Sequence, residues 1–211
     1  TATDLGNPGP DYTFGFGMMN LLRAVRTLDH EWHFIDSLQH QSQKQHVIKV
    51  PAGTRQLKIM LYWHDAPFNP FSSRILTNDL DLKVTSPSGA TVLPLVPDTI
   101  HNNVHLPATE KEDHWNNIEQ VVIDNPAAGD YTILVRGTEI GQLNLQKCYI
   151  VYDFIEDNVE LTYPQEAEGS VPGEAMNIRW QDVRSNTAAY TLEYSTDNGA
   201  SWQLVNAAGA A

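Results

Sequence analysis

A single cysteine, Cys148, stands among 211 residues, so no disulfide can close within the chain and a hydrophobic core has to hold it. The residue lies in the apolar run Cys148-Tyr-Ile-Val-Tyr152 and reads as a small buried hydrophobe. Cations are also scarce: 13 Lys and Arg face 26 Asp and Glu, a formal net charge of −13. With no basic cluster to release counterions, the composition argues against a nucleic-acid or anionic-membrane partner and leaves cations as natural small partners. No apolar run reaches the ~18 residues of a membrane span, and the first residues have neither the charged nor the apolar region of a signal peptide. What the chain does have is 41 % hydrophobic residues, enough for one large or two ordinary cores in a soluble globular protein.

The most informative stretch is Leu76-Thr-Asn-Asp-Leu-Asp-Leu-Lys-Val-Thr-Ser-Pro-Ser-Gly89. Leu80, Leu82 and Val84 alternate with Asp79, Asp81 and Lys83, a period-2 strand pattern closed by the turn residues Pro87-Ser88-Gly89. Asp79 and Asp81 then point to the same side of the strand and repel one another unless a cation lies between them. With Asn78 adjacent they supply the beginning of a calcium site, which needs six to eight oxygens. Further oxygen ligands are available in Asp113-His-Trp-Asn-Asn-Ile-Glu119, where Asn117 and Glu119 reach the first strand if the two strands are neighbours. The competing reading places both aspartates on a solvated sheet face or against loop N–H groups.

Taken in order, the chain starts with a loop, Asn7-Pro-Gly-Pro-Asp11, and a helix of two to three turns over Met18–Arg26. From about His30 onward it changes to short β-branched and aromatic runs separated by turns. Expected strands are Glu31–Ile35, Gln45–Val50, Gln56–Trp63, Asp79–Ser86, Asn117–Ile123, Gly129–Arg136 and Leu143–Phe154. This is the pattern of an antiparallel sandwich or jelly roll. The insert between Pro87 and Asn116, with Pro94, Pro97 and Pro107, reads as mostly loop. A boundary is expected at Glu156-Asp157-Asn158. Beyond it Val159–Tyr163, Met176–Trp180, Ala189–Ser195 and Ser201–Val205 form about four strands, with Pro164–Gly173 as loop and Asp197-Asn198-Gly199 as a hairpin turn. Four strands are too few for a complete immunoglobulin or fibronectin sandwich, and Asn206–Ala211 has no pattern.

Catalytic motifs are missing. His101, His105 and His114 lie in or near the long insert beside Glu110, Glu112 and Asp113, but no His-Glu-x-x-His spacing indicates zinc. His64-Asp65 has no nucleophilic serine in a Gly-x-Ser-x-Gly turn to serve. Phe68, Phe71, Trp115 and Trp202 could stack on sugars if exposed, although core or rim packing is the default for such residues.

The segment Thr1-Ala-Thr-Asp-Leu-Gly-Asn-Pro-Gly-Pro-Asp11, followed by Phe14-Gly-Phe-Gly17 and the helix ending in Ala24-Val25, closely resembles the C-terminal end of the catalytic domain in subtilisin-like serine peptidases. Leu76–Gly89, Asn116-Asn-Ile-Glu-Gln-Val121 and Pro126-Ala-Ala-Gly-Asp-Tyr-Thr-Ile-Leu-Val135 are similar to the P-domain-like jelly roll that follows that domain in secreted bacterial members. Ile178-Arg-Trp180 and Leu192–Trp202 resemble the first half of an immunoglobulin- or fibronectin-like module. The resemblance implies three units, 1–29, 30–156 and 157–211: the end of a catalytic domain, a jelly roll and a partial second sandwich. It implies secretion or a cell-surface location, the catalytic domain upstream as partner, and structural calcium at Asp79 and Asp81, supported by Glu119 and Asn117. The Gly-Thr-Ser-Met-Ala turn of the nucleophile and the Asp and His motifs of the family do not occur, so the expectation is a non-catalytic part of a peptidase. A glycan- or cell-surface-binding module is the alternative.

Overall fold

The computed structural model describes residues 2–67, 71, 75–141, 145–156, 159–164, 173, 175–182 and 190–205. Its elements run in the order α1 (Leu21–Asp29), β1 (His33–Leu38), β2 (Gln43–Val50), β3 (Thr54–Trp63), β4 (Asn78–Thr85), β5 (Thr91–Val92), β6 (Leu95–Val96), β7 (Thr109–Glu110), β8 (Ile118–Asp124), β9 (Gly129–Ile140), β10 (Gln146–Glu156), β11 (Val159–Tyr163), β12 (Arg179–Asp182), β13 (Glu193–Tyr194) and β14 (Gln203–Leu204). Two four-stranded antiparallel sheets, ordered β1-β10-β3-β8 and β2-β9-β4-β5, account for the large body. Consecutive strands β1 and β2, β3 and β4, and β8 and β9 fall in opposite sheets, so the chain repeatedly crosses between layers, as in a jelly roll.

Alternation decides what lies between the sheets. Leu57, Ile59, Leu61 and Trp63 of β3 and Leu80, Leu82 and Val84 of β4 are buried together with Val121, Ile133, Val135, Cys148 and Ile150. Trp63 can be buried because its indole N–H donates to the Asn78 carbonyl at 3.0 Å. Cys148 is in this core as expected, and burial, ahead of the charge of Asp36, pushes its thiol up to about 12. It is therefore inert packing material rather than a nucleophile.

The helix begins three residues later than its apolar pattern suggests. Asn20 is the reason: its side-chain oxygen accepts the Arg23 N–H at 3.0 Å and caps a helix that starts at Leu21. Met18 instead exchanges backbone hydrogen bonds with Thr3, both at 2.8 Å. That approach requires Gly17, since a Cβ there would lie 2.2 Å from the Thr3 carbonyl oxygen at φ +94°. The N-terminal loop is ordered by Asp11, whose carboxylate accepts N–H groups from Asn7, Thr13 and Phe14. Those bonds, the one from Phe14 foremost, hold its pKa below the usual carboxylate value.

Beyond β10 the described residues form two separate antiparallel ladders, β11 with β12 and β13 with β14. Asn198 and Gly199, both at positive φ, make the expected turn between the latter pair. Asp157, Asn158, Leu143, Ala189, residues 165–172 and 206–211 lie outside the described residues, and with them parts of the expected boundary, strands and loop. No described helix is long and apolar enough to cross a membrane.

Ile59 sits at the centre of its sheet, paired with Tyr152 and Val121 and fully buried, whereas Val47 on β2 is exposed. Ile59→Ala should cost about 2–5 kcal/mol in urea unfolding and Val47→Ala less than about 0.5 kcal/mol; equal costs would contradict this core.

Candidate functional site

Among the described residues strand β4 is an outer strand over most of its length, because β5 pairs only with Val84 and Thr85. On its other side β9 pairs with it along Asn78–Thr85, with a bulge where Asp79 faces Glu139 and Leu80 faces Gly137. The start of β4 is pinned by Asp65, whose carboxylate accepts the N–H groups of Thr77 and Asn78 at 2.8 and 2.9 Å. The His64-Asp65 pair is thus a strand anchor, as its lack of a serine partner implied.

Leu80 and Leu82 face the core, and Asp79 and Asp81 face the other way. Asp79 is nonetheless only 2 % exposed. The segment before β8 closes over it and brings His114 Nδ1 to 2.9 Å from Asp79 Oδ2 and 3.5 Å from Asp81 Oδ1. The ligating atoms of Asp79, Asp81 and His114 all lie within 4.8 Å of one another. Asp81 also accepts a hydrogen bond from Thr138, the residue passed over at the bulge. Glu112 stands on the far side of the imidazole, its carboxylate 4.0 Å from His114 Nε2.

The loop that carries His114 is built on Asp113, which is buried and accepts the N–H groups of Trp115 and Asn116 and the Asn116 side-chain amide. Both Asp113 oxygens are therefore engaged within its own turn. Asn117 does not turn toward the cluster: its amide donates to the Trp63 carbonyl at 2.8 Å and its own carbonyl accepts the Trp63 N–H, extending the β3–β8 ladder. Glu119 points between the sheets and reaches across to β4, accepting the Leu82 N–H at 2.7 Å from a position only 1 % exposed. The structure thus brings His114 to Asp79 and Asp81, sets Glu119 between the sheets on the Leu82 N–H, and assigns Asn117 to strand pairing. His114 is invisible to strand spacing because it comes from a loop 33 residues after Asp81 in the numbering.

Other residues singled out in the sequence lie elsewhere. His101 sits in a short 3-10 turn and His105 contributes its carbonyl to Asn7. Phe71, Trp115 and Trp202 are exposed, while Phe68 lies outside the described residues. An aromatic pair not anticipated from the sequence, Tyr62 and Tyr149, lies cross-strand on the outer face of β3 and β10, with ring centroids 6.4 Å apart.

Electrostatics at the site are set by negative charge in a dry place. Burial first, and then the carboxylates of Asp81, Asp113 and Asp79, push the Glu119 pKa well above its ordinary value, against the opposing bond from Leu82. The folded chain therefore holds this proton more tightly than the unfolded chain. Stability is undiminished below the ordinary glutamate pKa and is lost as pH rises through it toward the folded value. In the presence of a chelator, Glu119→Gln should melt above the parent chain at pH 7, with the gap closing toward pH 4; a gap independent of pH would count against this account.

No protein-family model matches the chain, and no curated protein matches it. Among solved structures it is similar to the Bacillus licheniformis lipase BlEst2 in propeptide form, at 16 % identity and a TM-score of 0.35. The likeness covers 59 % of this chain and 22 % of that one, so the chain spans less than a quarter of that lipase.

Proposed function

We propose that the chain is a non-catalytic C-terminal region of a secreted subtilisin-like serine endopeptidase, in which the jelly roll packs against the catalytic domain, stabilises it and assists placement of substrate. The observation that carries this reading is the direction in which α1 faces. Leu21, Val25 and Leu28, at i, i+4 and i+7, are 66 %, 52 % and 67 % exposed, while the one buried helix residue is Thr27. An amphipathic helix normally turns its apolar stripe inward. Here the stripe faces outward, with Met18 and Met19 continuing it. Nine residues cannot sustain an isolated helix with such a face, so a further protein surface covers it. The subtilase-like loop just before the helix supports reading that surface as the remainder of a catalytic domain. A divalent cation at Asp79 and Asp81, with calcium as the sequence-based expectation, would brace the far edge of the sandwich.

A second reading, a glycan- or cell-surface-binding module, is favoured by the Tyr62 and Tyr149 pair. It is flanked across the same sheet face by Ile35 and Ile118, giving an apolar row over four strands. Sugar rings stack on such aromatic faces.

For the leading reading, the triple substitution Leu21→Gln, Val25→Gln, Leu28→Gln should reduce self-association in sedimentation runs while changing stability by less than about 1 kcal/mol, since the side chains are exposed. The coding sequence upstream of Thr1 should place Gly-Thr-Ser-Met-Ala within a few dozen residues; its absence there would overturn the assignment. For the second reading, Tyr62→Ala should abolish binding on a glycan array, and an array without hits sinks it.

A further inference from the structure

Strand β10 is longer than the strand beside it. β1 pairs with it only as far as His33 opposite Val151, and just past that pair the Tyr152 N–H donates to the Trp32 carbonyl at 3.1 Å. β10 itself continues to Glu156, held on its other side by β3. Glu31 is where the neighbour is lost: at φ +54° it turns the chain away from the sheet, and the Trp32 N–H goes to the Thr27 carbonyl of α1 rather than to β10. Tyr152 directs its N–H to the β1 side, so by the alternation of an antiparallel ladder Phe154 and Glu156 direct their backbone groups the same way. Among the described residues no strand lies against them there.

The bare end of this edge borders a cavity of about 540 Å³, walled by Asp153–Glu156, by Arg23 of α1 and His30 at its end, and by Val159 and Leu161 of β11. We propose that this cavity takes an extended peptide segment carrying an acidic residue, which adds a short strand to β10 at Asp153–Glu156, in line with β1, and sets its carboxylate on Arg23. The site stands whether or not the chain belongs to a peptidase.

Three observations choose this occupant. The edge comes first, because a row of backbone donors and acceptors is matched by the main chain of any extended peptide, as in recognition by strand addition. Size agrees: the cavity lies within the roughly 300–1,000 Å³ of ligand pockets, and the four edge residues span about 14 Å of strand. Charge then gives the preference for an acid. The Lys58 pKa is lowered by burial first and, against the pull of Asp4, by the charge of Arg23, so two cations share this corner. Asp153 stands opposite Lys58 in the ladder and supports the charge of that amine. The Arg23 guanidinium has no ion pair within 4.0 Å among the described residues, and it faces the cavity. A carboxylate entering beside it relieves the repulsion.

The test follows backbone amide signals of the whole chain by NMR while capped pentapeptides are added. The probes are acetyl-Thr-Val-Glu-Val-Thr-amide, the same peptide with Lys in place of Glu, and two N-methylated forms of the Glu peptide, one methylated on each edge of the extended chain. The Glu peptide should shift the Phe154 amide and its neighbours saturably and slow the exchange of the Phe154 N–H. The Lys peptide should bind about 3–5-fold more weakly, the size of a partly exposed ion pair. Methylation of one edge should abolish binding and of the other leave it, since only one edge of an added strand meets β10. Arg23→Glu should reverse the preference between the Glu and Lys peptides, and Tyr62→Ala should bind as the parent does. No shift at Phe154 with millimolar Glu peptide would overturn the site, as would shifts centred on Tyr62 and Tyr149. Equal binding of both N-methylated forms, a readout that needs no variant of the chain, would overturn strand addition. A preference unmoved by Arg23→Glu would overturn the acidic occupant.

Discussion

Over Asp79–Lys83 strand β4 has one strand partner among the described residues, and its other edge shapes what surrounds it. A strand in a closed core with one side unpaired leaves backbone N–H and C=O groups that must find partners. Here the answer comes from the opposite sheet. Glu119 crosses from β8 to take the Leu82 N–H, and the segment before β8 follows it over the edge, carrying His114 onto Asp79 and Asp81. One hydrogen bond across the sandwich thus satisfies a backbone donor on that edge.

The same solution has an electrostatic consequence. Glu119 is held in a dry position among three aspartates, and no described lysine or arginine balances it there. A structural carboxylate in that position is a poor choice for stability, since burial penalises the charge and its neighbours repel it. Holding its proton relieves that penalty. At the other end of the molecule the helix α1 presents the opposite imbalance, apolar side chains where water should be.

Much of this architecture is legible in the chain itself. The alternation of Leu57, Ile59, Leu61 and Trp63, and of Leu80, Leu82 and Val84, marks strands and their inward faces because side chains alternate strictly along a strand. Seven expected strands match β1, β2, β3, β4, β8, β9 and β10 to within a few residues at their ends. The helix was legible but displaced, since apolar spacing says nothing about where a cap such as Asn20 will start the first turn. The aspartate pair was legible as two like charges on one face, because that depends only on spacing two residues apart.

The chain by itself therefore determined the β class, the core faces and the two carboxylates that share one face, all properties set by local periodicity. Only the tertiary structure decided that Glu119 reaches the Leu82 N–H from another sheet, that Asn117 is spent on Trp63, and that His114 comes to lie beside Asp79 and Asp81. Those outcomes depend on which strand edges meet across the sandwich and on how a loop folds over one of them, and neither is written in the spacing of any single segment.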